Sequence, residues 1–144
     1  MKTREEIQGV FKAKQVPLTH QRLAVYEELS KRKDHPSAEA LYEALKKSYP
    51  SLSLATVYKT LQTLHDMGMV SRVPSPIAQA RYDACMDVHH HAVCVSCGKI
   101  SDVFDPKLDA VAVPSLPGFE IAGHSVHFHG RCAKCAKANG SKAS

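Results

Sequence analysis

The sequence has no tryptophan, only 6% aromatic residues, and no apolar run near the roughly 20 residues that span a bilayer. A membrane role is therefore not expected. The charged start MKTREEIQ does not read as a signal peptide, so a cytoplasmic location is expected. No internal repeat or low-complexity block is visible, which argues against solenoid and fibrous architectures. Cysteine is scarce too: there are five, four of them in two CxxC pairs, and in a reducing compartment such thiols read as ligands or reactive groups rather than disulfides. Net charge is almost absent from the second half. Residues 1 to 84 carry 13 Lys/Arg against 9 Asp/Glu and the remainder 6 against 5, so any polyanion-binding surface belongs to the first half.

What is present is a globular composition, 44% hydrophobic and 23% charged, in a chain of 144 residues with room for one ordinary domain or two small ones. A short charged helix is expected over 4 to 14. A second follows with Thr19 as its cap and Leu23, Tyr26 and Leu29 on its apolar stripe, and a third with Ser37 as cap, Glu39 in the first turn and Leu41 and Leu45 facing the core. In PSLSLATVYKTLQTLHDMGMV, Leu54, Val57, Leu61 and Leu64 fall on one helical face. Ser53, Thr56, Lys59, Gln62 and Thr63 fall on the other, with Tyr58 near the boundary and Gly68 as the C-terminal stop. MVSRV and ARYDA, separated by PSPIAQ, read as a hairpin.

Helices followed by a hairpin are the layout of a winged helix, whose last helix before the wing enters the DNA major groove; the alternative is a helical bundle with a solvated polar face. The expected fold class is thus α+β: a winged helix-turn-helix unit over 1–83, a hinge near 83–87, and a smaller α/β unit over 88–144. In that second part HHHAVC, KISDVF and FEIAGHSVHFHG read as strands, 106 to 112 as a brief helix, and the end as a Lys/Ala/Gly/Ser tail.

Two sets of metal-seeking side chains stand out. Cys94-x-x-Cys97 and Cys132-x-x-Cys135 supply four thiolates, the closed tetrahedral shell of structural Zn2+, with Gly98 allowing a tight turn after the first pair. The alternative is a thiol redox pair; that would call for a helix N-terminus, whereas Cys132 and Cys135 are expected in a tail beyond the last strand. The second set is looser. His89 and His91 alternate along a strand and share a side, His90 points away, and Asp83 and Asp102 lie nearby. Imidazoles with carboxylates suit Fe2+, Mn2+ or Zn2+.

HPSAEALY, SLATVYKTL, RYD, HHHAVCVSCGKISD and CAKC, in this order and spacing, make the chain from about residue 5 to 138 similar to the ferric uptake regulator superfamily. Within it the chain looks most like the peroxide-responsive PerR repressors, whose hinge and post-knuckle acids are aspartates, as Asp83 and Asp102 are here. The resemblance implies a non-enzymatic, homodimeric, metal-dependent repressor of double-stranded operator DNA. It implies structural Zn2+ on the four cysteines, and regulatory Fe2+ or Mn2+ on His35, Asp83, His89, His91 and Asp102. It further implies that peroxide acts through oxidation of His35 and His89. On DNA, Arg22, Ser53, Thr56, Tyr58 and Lys59 are the expected contacts, Arg22 and Lys59 to phosphate or base edges and Tyr58 to a thymine methyl. His90, Asp109 and His124 fall at or near positions of a further metal site in iron regulators. Competing readings are a regulator of iron or zinc uptake that ignores peroxide, a thiol oxidoreductase using the CxxC pairs, and a metallohydrolase. Cys85 has no assigned role beyond that of a small buried residue or an accessory thiol.

Overall fold

The computed structural model describes residues 2–75 and 79–139, excluding the side chain of Asn139. The centre of the PSPIAQ turn and the tail beyond 139 lie outside this range. The chain divides into two compact units, residues 1–86 and 87–144.

The first unit carries α1 (Arg4–Ala13), α2 (His20–Lys31), α3 (Ala38–Leu45), α4 (Leu54–Asp66) and the strands β1 (Ser71–Val73) and β2 (Arg81–Asp83). Each helix starts where a hydroxyl can satisfy an orphan amide. Thr3, Thr19, Ser37 and Ser53 each accept from the backbone N–H three residues on, and Thr3 and Glu6 close a reciprocal capping box. Ser53, expected on the polar face of the fourth helix, is thus its N-cap. Helix α4 stops at a Schellman turn: the Gly68 N–H reaches the His65 carbonyl and the Met69 N–H the Leu64 carbonyl, both at 2.9 Å. Gly68 takes φ +71° there, a conformation costly for any residue with a Cβ.

One core unites these elements. Val25, Leu41, Val57, Leu61 and Leu64 are fully buried, with Ile7 and Phe11 packed on them from α1 and Tyr82 from β2. Leu54 is only half-buried and packs against this core, while Leu52, just before α4, is buried within it. Strands β1 and β2 pair antiparallel with Arg72 opposite Tyr82, the expected hairpin.

The second unit is a three-stranded sheet in the order β4-β3-β5, with β3 (His90–Cys94) central, β4 (Ile100–Val103) antiparallel to it and β5 (His127–Gly130) parallel. Of the FEIAGHSVHFHG stretch only these last four residues join the sheet. Helix α5 (Pro106–Asp109) ends three residues before the expected 112. A difference of more consequence is α6 (Ala133–Asn139), where a tail was expected: Cys132 immediately precedes it and Cys135 lies in its first turn. Among the described residues, this unit buries few apolar side chains, chiefly Val93, Cys94 and Ile100. A lobe with so little core needs another source of stability.

Candidate metal centres

The four thiols meet within the second unit. Cys94 ends β3, Cys97 follows on the knuckle turned by Gly98 at φ +78°, and the start of α6 brings Cys132 and Cys135. All four Sγ atoms lie within 4.8 Å of one another, with Cys97 and Cys132 3.8 Å apart. Tetrahedral zinc with Zn–S bonds of about 2.3 Å requires sulfur–sulfur separations of about 3.8 Å. The backbone N–H groups of Cys132 and then Cys97 favour the Cys94 thiolate and bring its pKa down to about 6. Cys135 is pushed up to about 12, because its S–H donates to Cys132, Cys97 and Cys94. Such a set cannot ionise fully by itself, and a dication of soft preference supplies what is missing. The helix-start position of Cys132 removes one argument against a redox dithiol. The four-way clustering replaces it, since neither CxxC pair stands apart from the other.

The first unit holds His35 and Asp83 as a buried pair, His35 Nε2 3.3 Å from Asp83 Oδ2. The other carboxylate oxygen of Asp83 accepts from the Cys85 amide at 2.8 Å. In the second unit His89 and His91 meet edge to face at 4.7 Å, and their Nε2 atoms lie 3.5 and 3.7 Å from the same Asp102 Oδ1. Strand pairing explains the second distance, because His91 and Asp102 are directly opposed across β3 and β4. The His89 Nδ1 is oriented by the Asp87 carbonyl at 2.6 Å, which leaves Nε2 for a ligand role.

His90 points to the other side, as alternation requires. Its Nδ1 accepts from the Val126 N–H at 3.0 Å, so the ring is the neutral tautomer whose Nε2–H donates to Asp109 at 2.9 Å. His124 stacks on it at 5.8 Å and hydrogen-bonds the Leu108 carbonyl. The three residues considered for an extra metal do meet, but through hydrogen bonds and stacking in which both nitrogens of His90 are engaged.

On the polar side of α4, Tyr58 gives its hydroxyl to Glu39 of α3, which also accepts from Gln79 at 3.1 Å. The tyrosine hydroxyl holds the Glu39 carboxyl below its usual range, and the carboxylate raises Tyr58. Thr56 shares its hydroxyl with Ser53 at 2.8 Å, Arg22 donates to the Pro17 carbonyl at 2.6 Å, and Lys59 is exposed. Sequence reasoning placed Glu39 in the first turn of the third helix without its Tyr58 partner, and passed over Arg81 and His127. The His127 ring lies parallel to His91 at 5.6 Å, and its partner strand is 36 residues away in sequence, so no local pattern signals the contact.

Four capped helices ending in a hairpin, with a small sheet carrying a closed thiolate set, define a metal-binding regulator of the winged-helix class. The model of the ferric uptake regulator family matches residues 13–129. The peroxide operon regulator of Bacillus subtilis is 36% identical over 124 residues, 85% of this chain and 86% of that protein. The structure of the Campylobacter jejuni peroxide stress regulator is 34% identical with a TM-score of 0.65, covering 94% of this chain and 100% of the other. That of the Pseudomonas aeruginosa ferric uptake regulator with manganese is 25% identical with a TM-score of 0.70, covering 92% and 99%. The chain belongs to the ferric uptake regulator family.

Proposed function

We propose that the chain is a peroxide-responsive repressor that binds palindromic operator DNA as a homodimer when metal is bound. The observation that carries this reading is the donor set: three histidines and two aspartates, His35 with Asp83 in one unit and His89 and His91 on Asp102 in the other, buried or half-buried rather than solvated. Nitrogen and carboxylate donors suit Fe2+ and Mn2+, and the four thiolates suit Zn2+. The identity to proteins named peroxide operon regulator and peroxide stress regulator supports the same reading.

In this proposal the five residues together hold one regulatory ion, the hinge near Asp83 sets the relation of the units, and metal binding selects the DNA-competent arrangement. An ion at 100 times its dissociation constant contributes about 2.7 kcal/mol, enough to move a mostly open population to a mostly closed one. Bound Fe2+ supplies one-electron chemistry toward peroxide. The imidazoles of His35 and His89 are the groups that take up oxygen, and a 2-oxo-histidine is a poorer donor, so the site loosens and repression lifts. Lys59 and Arg22 contribute phosphate contacts whose strength falls with salt, and α4 enters the major groove. The apolar side chains that the second unit leaves exposed, among them Leu116, Phe119 and Phe128, are the surface through which two copies join.

The test compares operator binding with Fe2+, Mn2+ or Zn2+, each with and without peroxide, and maps oxidation by mass spectrometry. Release by peroxide in the iron form alone, with one oxygen gained on His35 or His89 peptides, is expected. Operator binding that follows metal and ignores peroxide would instead identify a regulator of metal uptake, and oxidation confined to cysteine would sink the histidine mechanism.

A further inference from the structure

We propose that Arg81 is a positioning residue that holds His35 in its metal-ready geometry by clamping the two backbone carbonyls that flank the His35 Cα, those of Asp34 and His35. The proposal rests on the reading of His35 as a ligand.

His35 has φ +51°, a left-handed conformation that is costly for a residue with a Cβ, and it precedes Pro36, which pushes its neighbour toward extended backbone. Such a conformation persists only where the surroundings over-determine it. Here β2 does so residue by residue. The Arg81 guanidinium donates through Nη2 to the Asp34 carbonyl at 2.7 Å and through Nε to the His35 carbonyl. The Tyr82 N–H then takes the Pro36 carbonyl at 3.1 Å. Asp83, next along the strand, faces the His35 ring. Three consecutive carbonyls, of residues 34, 35 and 36, are thus held by two consecutive residues of β2, and the third presents the carboxylate that accompanies His35.

The side chain of Asp34 does not compete for this clamp. Both of its oxygens are taken by Arg32, at 2.9 and 2.6 Å, and this holds its carboxyl below the usual range. A planar fork with two parallel donors fits two neighbouring carbonyls, whereas an ammonium reaches one of them at a time. Moreover, a guanidinium near a cation site is electrostatically unfavourable for metal. The clamp and the charge therefore predict opposite signs. Removing Arg81 weakens metal binding if it acts through the backbone and tightens it if its charge dominates.

The experiment uses the full chain with zinc on its cysteines and compares wild type, Arg81→Met and Arg81→Lys. Mn2+ affinity is read by electron paramagnetic resonance of the free ion, and amide hydrogen exchange of the peptide spanning 33–37 is read without Mn2+. The expected result is Mn2+ affinity lowered about 10- to 100-fold in Arg81→Met, the range for loss of an outer partner of a metal ligand, and by less in Arg81→Lys. Zinc content should be unchanged and exchange over 33–37 faster. Affinity within twofold of wild type, or tighter, overturns the proposal. If Arg81→Met fails to fold, Arg81→Lys decides: partial loss supports the two-carbonyl clamp, and wild-type affinity overturns it. Should wild type itself bind no Mn2+, the ligand reading fails. The exchange comparison then still decides on the clamp, unchanged rates overturning it.

Discussion

Tyr58 shows how a side chain's role narrows once its partner is known. The sequence places it at the edge of the polar face of α4 and expects it against a thymine methyl, with no partner named for its hydroxyl. The hydroxyl is in fact given to Glu39, 19 residues earlier and on another helix, a pairing that helical periodicity cannot express. What remains for a base edge is the ring. Tyr58→Phe should accordingly keep operator affinity within about threefold, while Tyr58→Ala should lose on the order of 1–3 kcal/mol, the scale of a good base contact. Fluorescence anisotropy with Mn2+-loaded protein measures both, and equal losses in the two variants would overturn the ring contact and assign the role to the hydroxyl. Lys59 is a different case, an exposed cation without specific geometry. Lys59→Ala should weaken operator and random DNA alike and lower the slope of log affinity against log salt by about one.

Among the elements, the helices and their caps were readable because their signals are local: Thr19, Ser37 and Gly68 each act within four residues of themselves. Gly68→Ala tests this at the end of α4. A Cβ there meets nothing within 4 Å, so the penalty is conformational alone. Urea unfolding should show a loss of about 1 kcal/mol with the slope unchanged. Helix α6 was illegible for the opposite reason. Seven residues are too few to hold a helix without tertiary support, and the lysine- and alanine-rich stretch AKCAKAN reads equally well as tail. Its support is the thiolate cluster that Cys132 and Cys135 complete. Cys135→Ser, or strong chelation, should therefore release zinc and expose α6 and β5 to amide exchange, while exchange in the α1 to α4 core stays slow. Equal deprotection of both regions would show that the two units are not separately stabilised.

For the whole molecule, the two sets of donors follow different logic. The thiolate set was legible because spacing alone brings each CxxC together and the chemistry of sulfur names the ion. The histidine and aspartate set was legible only in part: alternation gave His89 and His91 a common side, but assignment of His35 came from family resemblance, since nothing local links it to Asp83. The same holds for surfaces. No sequence pattern reveals that the second unit leaves Val111, Val113, Leu116, Phe119 and Phe128 exposed, or that β5 has a neighbour on one side only among the described residues. Exposed apolar side chains and an open strand edge are costly for an isolated subunit, and edge-to-edge or face-to-face pairing with a second copy removes the cost. If that pairing is what brings two α4 helices to a palindromic operator, a charge placed in it should separate subunits without touching either metal set. Phe119→Glu combined with Phe128→Glu is expected to convert a dimer to a monomer by sedimentation velocity, with zinc content unchanged. Operator affinity should fall at least 100-fold, because a single half-site contact replaces two. A variant that stays dimeric while keeping its zinc would move the interface elsewhere on the molecule.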